Sequence, residues 1–262
     1  MKECEVIARA STYNPIYDSP RFFKLFGVGI DNETMSEAVE WASQSQTHGR
    51  GQVGVFANAH SFTTMWSKPQ LERDLRAADR VFPDGVGVRL AAKNLGVEIV
   101  ENVNGTDMLP LLARRLADKG MSLGLLGARP GVAQAAALNL RAQHPSLRIS
   151  FVHHGYFESS QEEQIISSIN SSGTNVLLVA FGSPVQERWL VGNISRLEID
   201  RGLAVGGLLD FASGRIPRAP EWLRKLEGEW LFRLMQEPKE KWERYVLGNG
   251  HFLYRAYLKS TH

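Results

Sequence analysis

The residues best suited to chemistry in this chain are polar side chains set where short apolar runs end. Asp84 stands out, in Val81-Phe82-Pro83-Asp84-Gly85-Val86-Gly87. An apolar pair precedes it and a glycine-punctuated helix start follows. Open α/β sheets place their reacting groups at such strand ends, and a carboxylate half out of water there can act as a general base. The alternative is that Asp84 only caps the next helix. Phe181-Gly182-Ser183-Pro184-Val185-Gln186-Glu187 has the same build. Gly182 closes a strand, Pro184 opens a helix, and Gln186 offers an amide to a sugar hydroxyl or a uracil edge. Glu187 either joins it or merely complements the helix dipole.

Two glycine turns suit phosphate or ribose. In Leu126-Gly127-Ala128-Arg129-Pro130-Gly131 the backbone N–H groups of a helix start could receive a phosphate, with Arg129 adding charge. This is not G-x-G-x-x-G, and no acidic residue follows at the dinucleotide spacing. In Gly206-Gly207-Leu208-Leu209-Asp210 the paired glycines let a ligand approach the backbone, and Asp210 could bind ribose or only bond its own turn. His60, His153 and His154 are not spaced as a metal set, and no D-x-D pair is present. Metal-independent chemistry with no cofactor is expected.

The elements that must position these groups alternate. Thr34 and Glu37 form a capping-box pattern for a helix carrying Ala38, Val39 and Trp41. Val53 to Ala57 reads as a buried strand, followed by a helix through Leu71 and Leu75 to Ala78. A short strand runs into Asp84, and a helix follows through Val88 to Leu95. Strands are then expected at Ser122 to Leu126, Leu147 to His153, Asn175 to Phe181 and Leu203 to Gly207. Helices are expected at Thr106 to Asp118, Pro130 to Ala142, Gln161 to Ile169 and Pro184 to Leu197. Near-continuous apolar strands alternating with helices predict an α/β fold, a mostly parallel sheet with helices on both faces.

The chain has 262 residues, 43% hydrophobic and 22% charged, with a net charge of +2. That suits one large domain or a domain with an appendage, and gives no basis for nucleic-acid binding. A single cysteine, Cys4, excludes an intrachain disulfide and fits a reducing compartment. Met1 to Pro20 is neither a signal peptide nor a membrane span. The expected location is cytoplasmic, free or resting on the inner membrane face. A core over 1–216 and a helical appendage over 217–262 are expected. The appendage interleaves Trp222, Trp230, Phe232, Trp242, Tyr245, Phe252, Tyr254 and Tyr257 with Arg218, Arg224, Lys225, Arg233, Lys239, Lys241, Arg244, Arg255 and Lys259. Such a segment lies in a membrane interface, or packs on its own domain or a second subunit.

Taken together, these runs resemble the WecG/TagA/CpsF family of bacterial glycosyltransferases, glycosyltransferase family 26. The likeness extends from about Leu25 to Tyr245. It is carried by Asn58-Ala59-His60-Ser61-Phe62, Pro83 to Gly87, Asn104-Gly105-Thr106-Asp107-Met108 and Leu126 to Gly131. It continues through His154-Gly155-Tyr156-Phe157, Gly182 to Glu187, Gly206 to Phe211, Arg218-Ala219-Pro220-Glu221-Trp222 and Glu229-Trp230-Leu231-Phe232-Arg233-Leu234 with Glu237-Pro238.

The resemblance implies a Rossmann-like α/β fold and inverting transfer from a UDP-sugar to a sugar on a polyprenyl diphosphate at the cytosolic membrane face. It implies Asp84 as general base and Asn58 and Gln186 as pocket residues, with His60, Asn102, Asn104, Thr106, Asp107 and Glu187 beside them on the substrate side. UDP falls to Gly127, Arg129, Gly131, Tyr156, Gly182, Gly206, Gly207, Asp210, Arg215 and Arg218, and the tail to the membrane. A homo-oligomer is possible. Two departures bear on the donor. Phe56 stands where relatives often have Thr, and Asn102 occupies a region where many have Arg. An acidic donor would want a cation, so a neutral hexose is favoured, as in a xanthan-type branch that makes lipid-linked cellobiose; N-acetylmannosamine transfer stays open. The rival classes are a dehydrogenase, which the missing glycine fingerprint opposes, and a non-catalytic scaffold, which the joint presence of Asp84, Asn58 and Gln186 opposes.

Overall fold

A computed structural model describes residues 13–14, 19–46, 49–220, 223, 229–236, 242 and 248–260. Cys4 and, in the tail, Trp222, Arg224, Lys225, Lys239, Lys241, Arg244 and Tyr245 lie outside the described residues.

The chain opens with two hairpins, β1 (Tyr13–Asn14) with β2 (Ser19–Pro20) and β3 (Phe22–Leu25) with β4 (Val28–Asp31). It continues through α1 (Met35–Ala42), β5 (Gln52–Ala57), α2 (Ala59–Ser67), α3 (Pro69–Ala77), β6 (Arg80–Pro83), α4 (Val86–Asn94) and α5 (Gly105–Asp118). Then come β7 (Ser122–Gly127), α6 (Val132–Gln143), β8 (Arg148–His153), α7 (Glu162–Ser171), β9 (Val176–Ala180) and α8 (Val185–Asn193). The last elements are β10 (Arg201–Ala204), α9 (Leu208–Ala212), α10 (Glu229–Gln236) and α11 (Asn249–Ser260).

Six strands form one parallel sheet in the order β6-β5-β10-β9-β7-β8. Every residue of β7, β9 and β10 is buried, as a sheet covered on both faces requires. One face packs against α2, α3, α4, α7, α8 and α11. The other packs against α1, α5, α6 and α9. From its carboxyl end β5 leads into α2 on one face of the sheet, whereas its neighbour β10 leads into α9 on the other. The two connections diverge, which opens a crevice at the carboxyl ends of these strands.

Three expectations need correction, and one hairpin was not foreseen. The helix expected to run to Ala78 is two helices, because Pro69 has no N–H to give and drives Lys68 out of the helical region, to φ −130° and ψ 84°. The last strand is Arg201–Ala204, so Gly206 and Gly207 lie in the turn beyond it. Its start carries a buried Arg201, whose Nε donates to the Trp41 carbonyl (3.0 Å) and whose guanidinium lies 5.0 Å from the Trp41 ring centre. That charge masks the strand in the sequence. The helix expected to reach Leu197 ends at Asn193, where the Asn193 side chain donates to the Trp189 carbonyl (3.1 Å). The hairpin β3–β4 has no sequence signal of its own. Its turn places Phe26 at φ 52°, a conformation unusual for a bulky residue, and the Phe26 ring is held by Phe62, Trp66 and Phe252.

α11 is part of this core. Phe252 is fully buried between Phe26, Phe62 and Trp66, with Ala256 one turn on. Arg255 covers Trp66 from outside, 4.3 Å from the ring centre. Among the described residues, no helix is long and apolar enough to cross a membrane.

Candidate active site

Asp84 sits one residue past β6. Its N–H donates to the Ala57 carbonyl (3.0 Å), which extends the β5–β6 ladder as far as the carboxylate. Asp84 does not cap α4: the residue before that helix is Gly85, and no side chain caps it. The Gly85 N–H donates instead to Asn102 Oδ1 (2.6 Å). The loop that carries Asn102 is fastened to the β4–α1 corner. The Val100 N–H donates to Asn32 Oδ1 (2.9 Å) and the Met35 N–H to Glu101 Oε2 (2.8 Å).

Asn58 caps α2. Its Oδ1 accepts the N–H groups of His60 (3.1 Å) and Ser61 (3.2 Å), so its amide nitrogen must face the other way. There Nδ2 donates to Asp84 Oδ2 (3.3 Å). A cap that stabilises α2 thus also orients a donor onto the carboxylate, which keeps Asp84 aimed into the crevice.

The crevice is a cavity of about 480 Å³. Asn58, His60, Asp84 and Asn102 line it from the β5 and β6 side. Asn104, Thr106 and Asp107 line it from the start of α5, and Gly182, Gln186, Glu187, Gly206 and Gly207 from β9 and β10. Asn104 caps α5, accepting the Asp107 N–H (2.9 Å) and donating to Asp107 Oδ2 (2.6 Å). Arg218 Nη2 donates to the other Asp107 oxygen (2.8 Å) and so ties the start of the appendage to the cavity rim.

Gln186 and Glu187 are both buried. Gln186 Oε1 accepts the N–H groups of Gly182 (3.2 Å) and Gly206 (2.9 Å), and its Nε2 donates to Glu187 Oε1 (3.0 Å). Among the described residues, Glu187 Oε2 is shut away from solvent and meets no donor in hydrogen-bonding geometry, with Ser183 the hydroxyl beside this carboxyl. Burial raises the Glu187 carboxyl above the usual carboxylate range, and the nearby Asp74 charge pushes it the same way.

Residues 23–262 match the sequence profile of the glycosyl transferase WecG/TagA/CpsF family. The chain belongs to that family. It is a glycosyltransferase of polysaccharide biosynthesis, and as such it must hold a sugar donor and an acceptor.

Not all the residues expected to serve this glycosyltransferase meet in the cavity. Gly127, Arg129, Gly131 and Tyr156 stand at the carboxyl ends of β7 and β8 and do not line it. Gly127 has a packing reason: a Cβ there would come within 2.5 Å of the Ala180 carbonyl oxygen. Arg129 and Tyr156 are exposed. Asp210 and Arg215 pair with each other at 2.5 Å outside the cavity lining, and Arg218 meets it through Asp107.

The cavity also holds residues that sequence reading did not single out for it, namely Arg89 on α4, Ile99, Trp230 on α10 and Asn249 at the start of α11. Arg89 stands one helical turn after Gly85 and Val86, which also line the cavity, a spacing that was legible. Trp230 and Asn249 arrive from the appendage, far away in sequence. Phe56, marked above only for the missing Thr, lines the cavity and lies 5.4 Å from Phe82, ring centre to ring centre. Among the described residues no group of three or more His, Cys, Asp or Glu is placed to hold a metal.

Proposed function

We propose that this protein is an inverting glycosyltransferase that moves a hexose from a UDP-sugar to a sugar on a polyprenyl diphosphate. The observation that carries the reading is Asp84, held by Asn58 in a sheet-end cavity of the size usual for small-molecule sites. The acceptor hydroxyl oxygen attacks the anomeric carbon from the face opposite UDP. Its proton passes to the Asp84 carboxylate, the bond from the anomeric carbon to the diphosphate oxygen breaks, and its electron pair leaves with UDP. One displacement inverts that carbon.

The charge gathering on the leaving diphosphate needs donors. The start of α5 and Arg89 border the cavity, and Arg218 is within one side chain of it. Arg215 and the turn from Gly127 to Gly131 serve only if the nucleotide extends past the cavity toward β7. On the membrane side, Trp230, Leu231, Met235, Trp242, Tyr254, Tyr257 and Leu258 are exposed. A surface of this composition suits a bilayer interface, which would bring a lipid-linked acceptor to the cavity that Trp230 and Asn249 help to line.

Phe56 and Asn102 at the cavity support a neutral donor, with glucose β-1,4 to lipid-linked glucose as the leading case. Arg89 favours a second reading, an acidic N-acetylmannosaminuronate donor whose carboxylate it would meet. Acceptor-dependent UDP release, measured over a panel of UDP-sugars with lipid-diphosphate-linked glucose and N-acetylglucosamine, separates the two. Release from UDP-glucose with a β-linked product supports the first. Release from the uronate, lost in Arg89→Ala, supports the second. No release with any pair contradicts the UDP-sugar reading and returns the scaffold alternative.

A further inference from the structure

The sheet parts between β9 and β10 at the cavity wall. The last backbone bond between these strands runs from the Val205 N–H to the Val179 carbonyl (2.9 Å). Just beyond it, the N–H groups of Gly182 and Gly206 converge on one atom, Gln186 Oε1, at 3.2 and 2.9 Å. Both glycines have positive φ, 81° and 58°. A Cβ built on either would meet no heavy atom within 4 Å. The two turns therefore show bare backbone to the cavity, and the Gln186 carboxamide bridges them from behind.

Gln186 is only 4% exposed. A carbonyl-type oxygen has two lone pairs, and two N–H donors use both. One of the two Nε2 hydrogens goes to Glu187 Oε1. The amide cannot turn over, because its NH2 group would then face two N–H donors. Its oxygen therefore has nothing left to offer a sugar hydroxyl or a base edge.

We propose that Gln186 is a positioning residue: its carboxamide fastens the turn after β9 to the turn after β10 and so fixes the glycine wall against which the donor lies. This is a second task beside the ligand contact expected from sequence, for which one Nε2 hydrogen is left. Naming a nucleotide-sugar as the molecule on that wall rests on the function proposed above; the fastening itself does not.

Amide hydrogen exchange of the full-length protein, read residue by residue by NMR without ligand, tests the fastening. In the wild type, the Gly182 and Gly206 amides should exchange at least about tenfold more slowly than the exposed Gly207 amide. In Gln186→Met, which keeps the bulk and loses the hydrogen bonds, both should speed up by about tenfold or more while the melting temperature stays within a few degrees. Donor KM should rise about tenfold with kcat changed by less than about threefold. Fast exchange of both glycine amides in the wild type overturns the proposal, and needs no variant to fold. So does unchanged exchange in Gln186→Met with turnover lost, since that marks a direct ligand contact. Faster exchange with unaltered kinetics overturns the positioning role. Because the exchange measurement uses no donor, a failed UDP-sugar panel leaves the fastening to stand or fall separately.

Discussion

At the scale of single residues, the site is built from side chains that serve the fold and the cavity at once. Asn58 caps α2 with its oxygen and holds Asp84 with its nitrogen. Gly207 shows where a ligand could lie. Its φ of −76° suits any residue, and a Cβ there would meet nothing within 4 Å. Gly207→Ala should therefore keep or slightly raise the melting temperature, yet reduce turnover at least about tenfold as the methyl enters the ligand's space. Unchanged turnover would show that no ligand approaches that backbone. Glu33 makes a separate prediction about pH. Burial raises its pKa from 4.5 to about 7; Asp31 and Glu37 add to the rise, and Arg80 and Arg21 oppose it. The folded state then holds a proton that the unfolded chain releases above 4.5. This contribution to stability is full below that pH and is lost as pH climbs through about 7, at most about 3 kcal/mol in all. Glu33→Gln should gain on the wild type by more at pH 8 than at pH 5 in urea unfolding, whereas an equal difference at both values would contradict the raised pKa.

At the scale of elements, α11 packs on α2 and α4 and is part of the core. Phe252→Ala should cost about 3–5 kcal/mol and lower transferase activity as well, because Asn249 at the start of the same helix lines the cavity. Full activity in the variant would separate α11 from the site. The alternation of strands and helices was legible because buried parallel strands read as apolar runs and helix caps announce themselves, as Thr34 and Glu37 do. Asp84 and Asn58 were legible for a related reason: each is a polar residue directly after an apolar run. Arg201 hid the start of β10, since a buried guanidinium satisfied by the Trp41 carbonyl and ring leaves no local mark. The β3–β4 turn was hidden because contacts from distant aromatic residues hold Phe26. Gln186 was legible as a pocket residue, but its engagement with two glycine turns depends on β9 and β10 lying side by side.

For the whole molecule, the cavity opens where the sheet's connections diverge and where the appendage returns, so transfer and membrane contact would share one end of the protein. The exposed apolar side chains of α10 test this without deleting any of the core. Leu231→Glu with Met235→Glu should weaken binding to anionic vesicles about tenfold or more while the melting temperature holds; undiminished binding would contradict docking through α10. The central claim is that Asp84 takes the acceptor's proton. The direct measurement is acceptor-dependent turnover of Asp84→Asn beside the wild type, with the best donor from the panel, together with UDP affinity of both. The account predicts turnover lower by about 10²-fold or more with UDP affinity unchanged. Turnover within a few-fold of the wild type would contradict it.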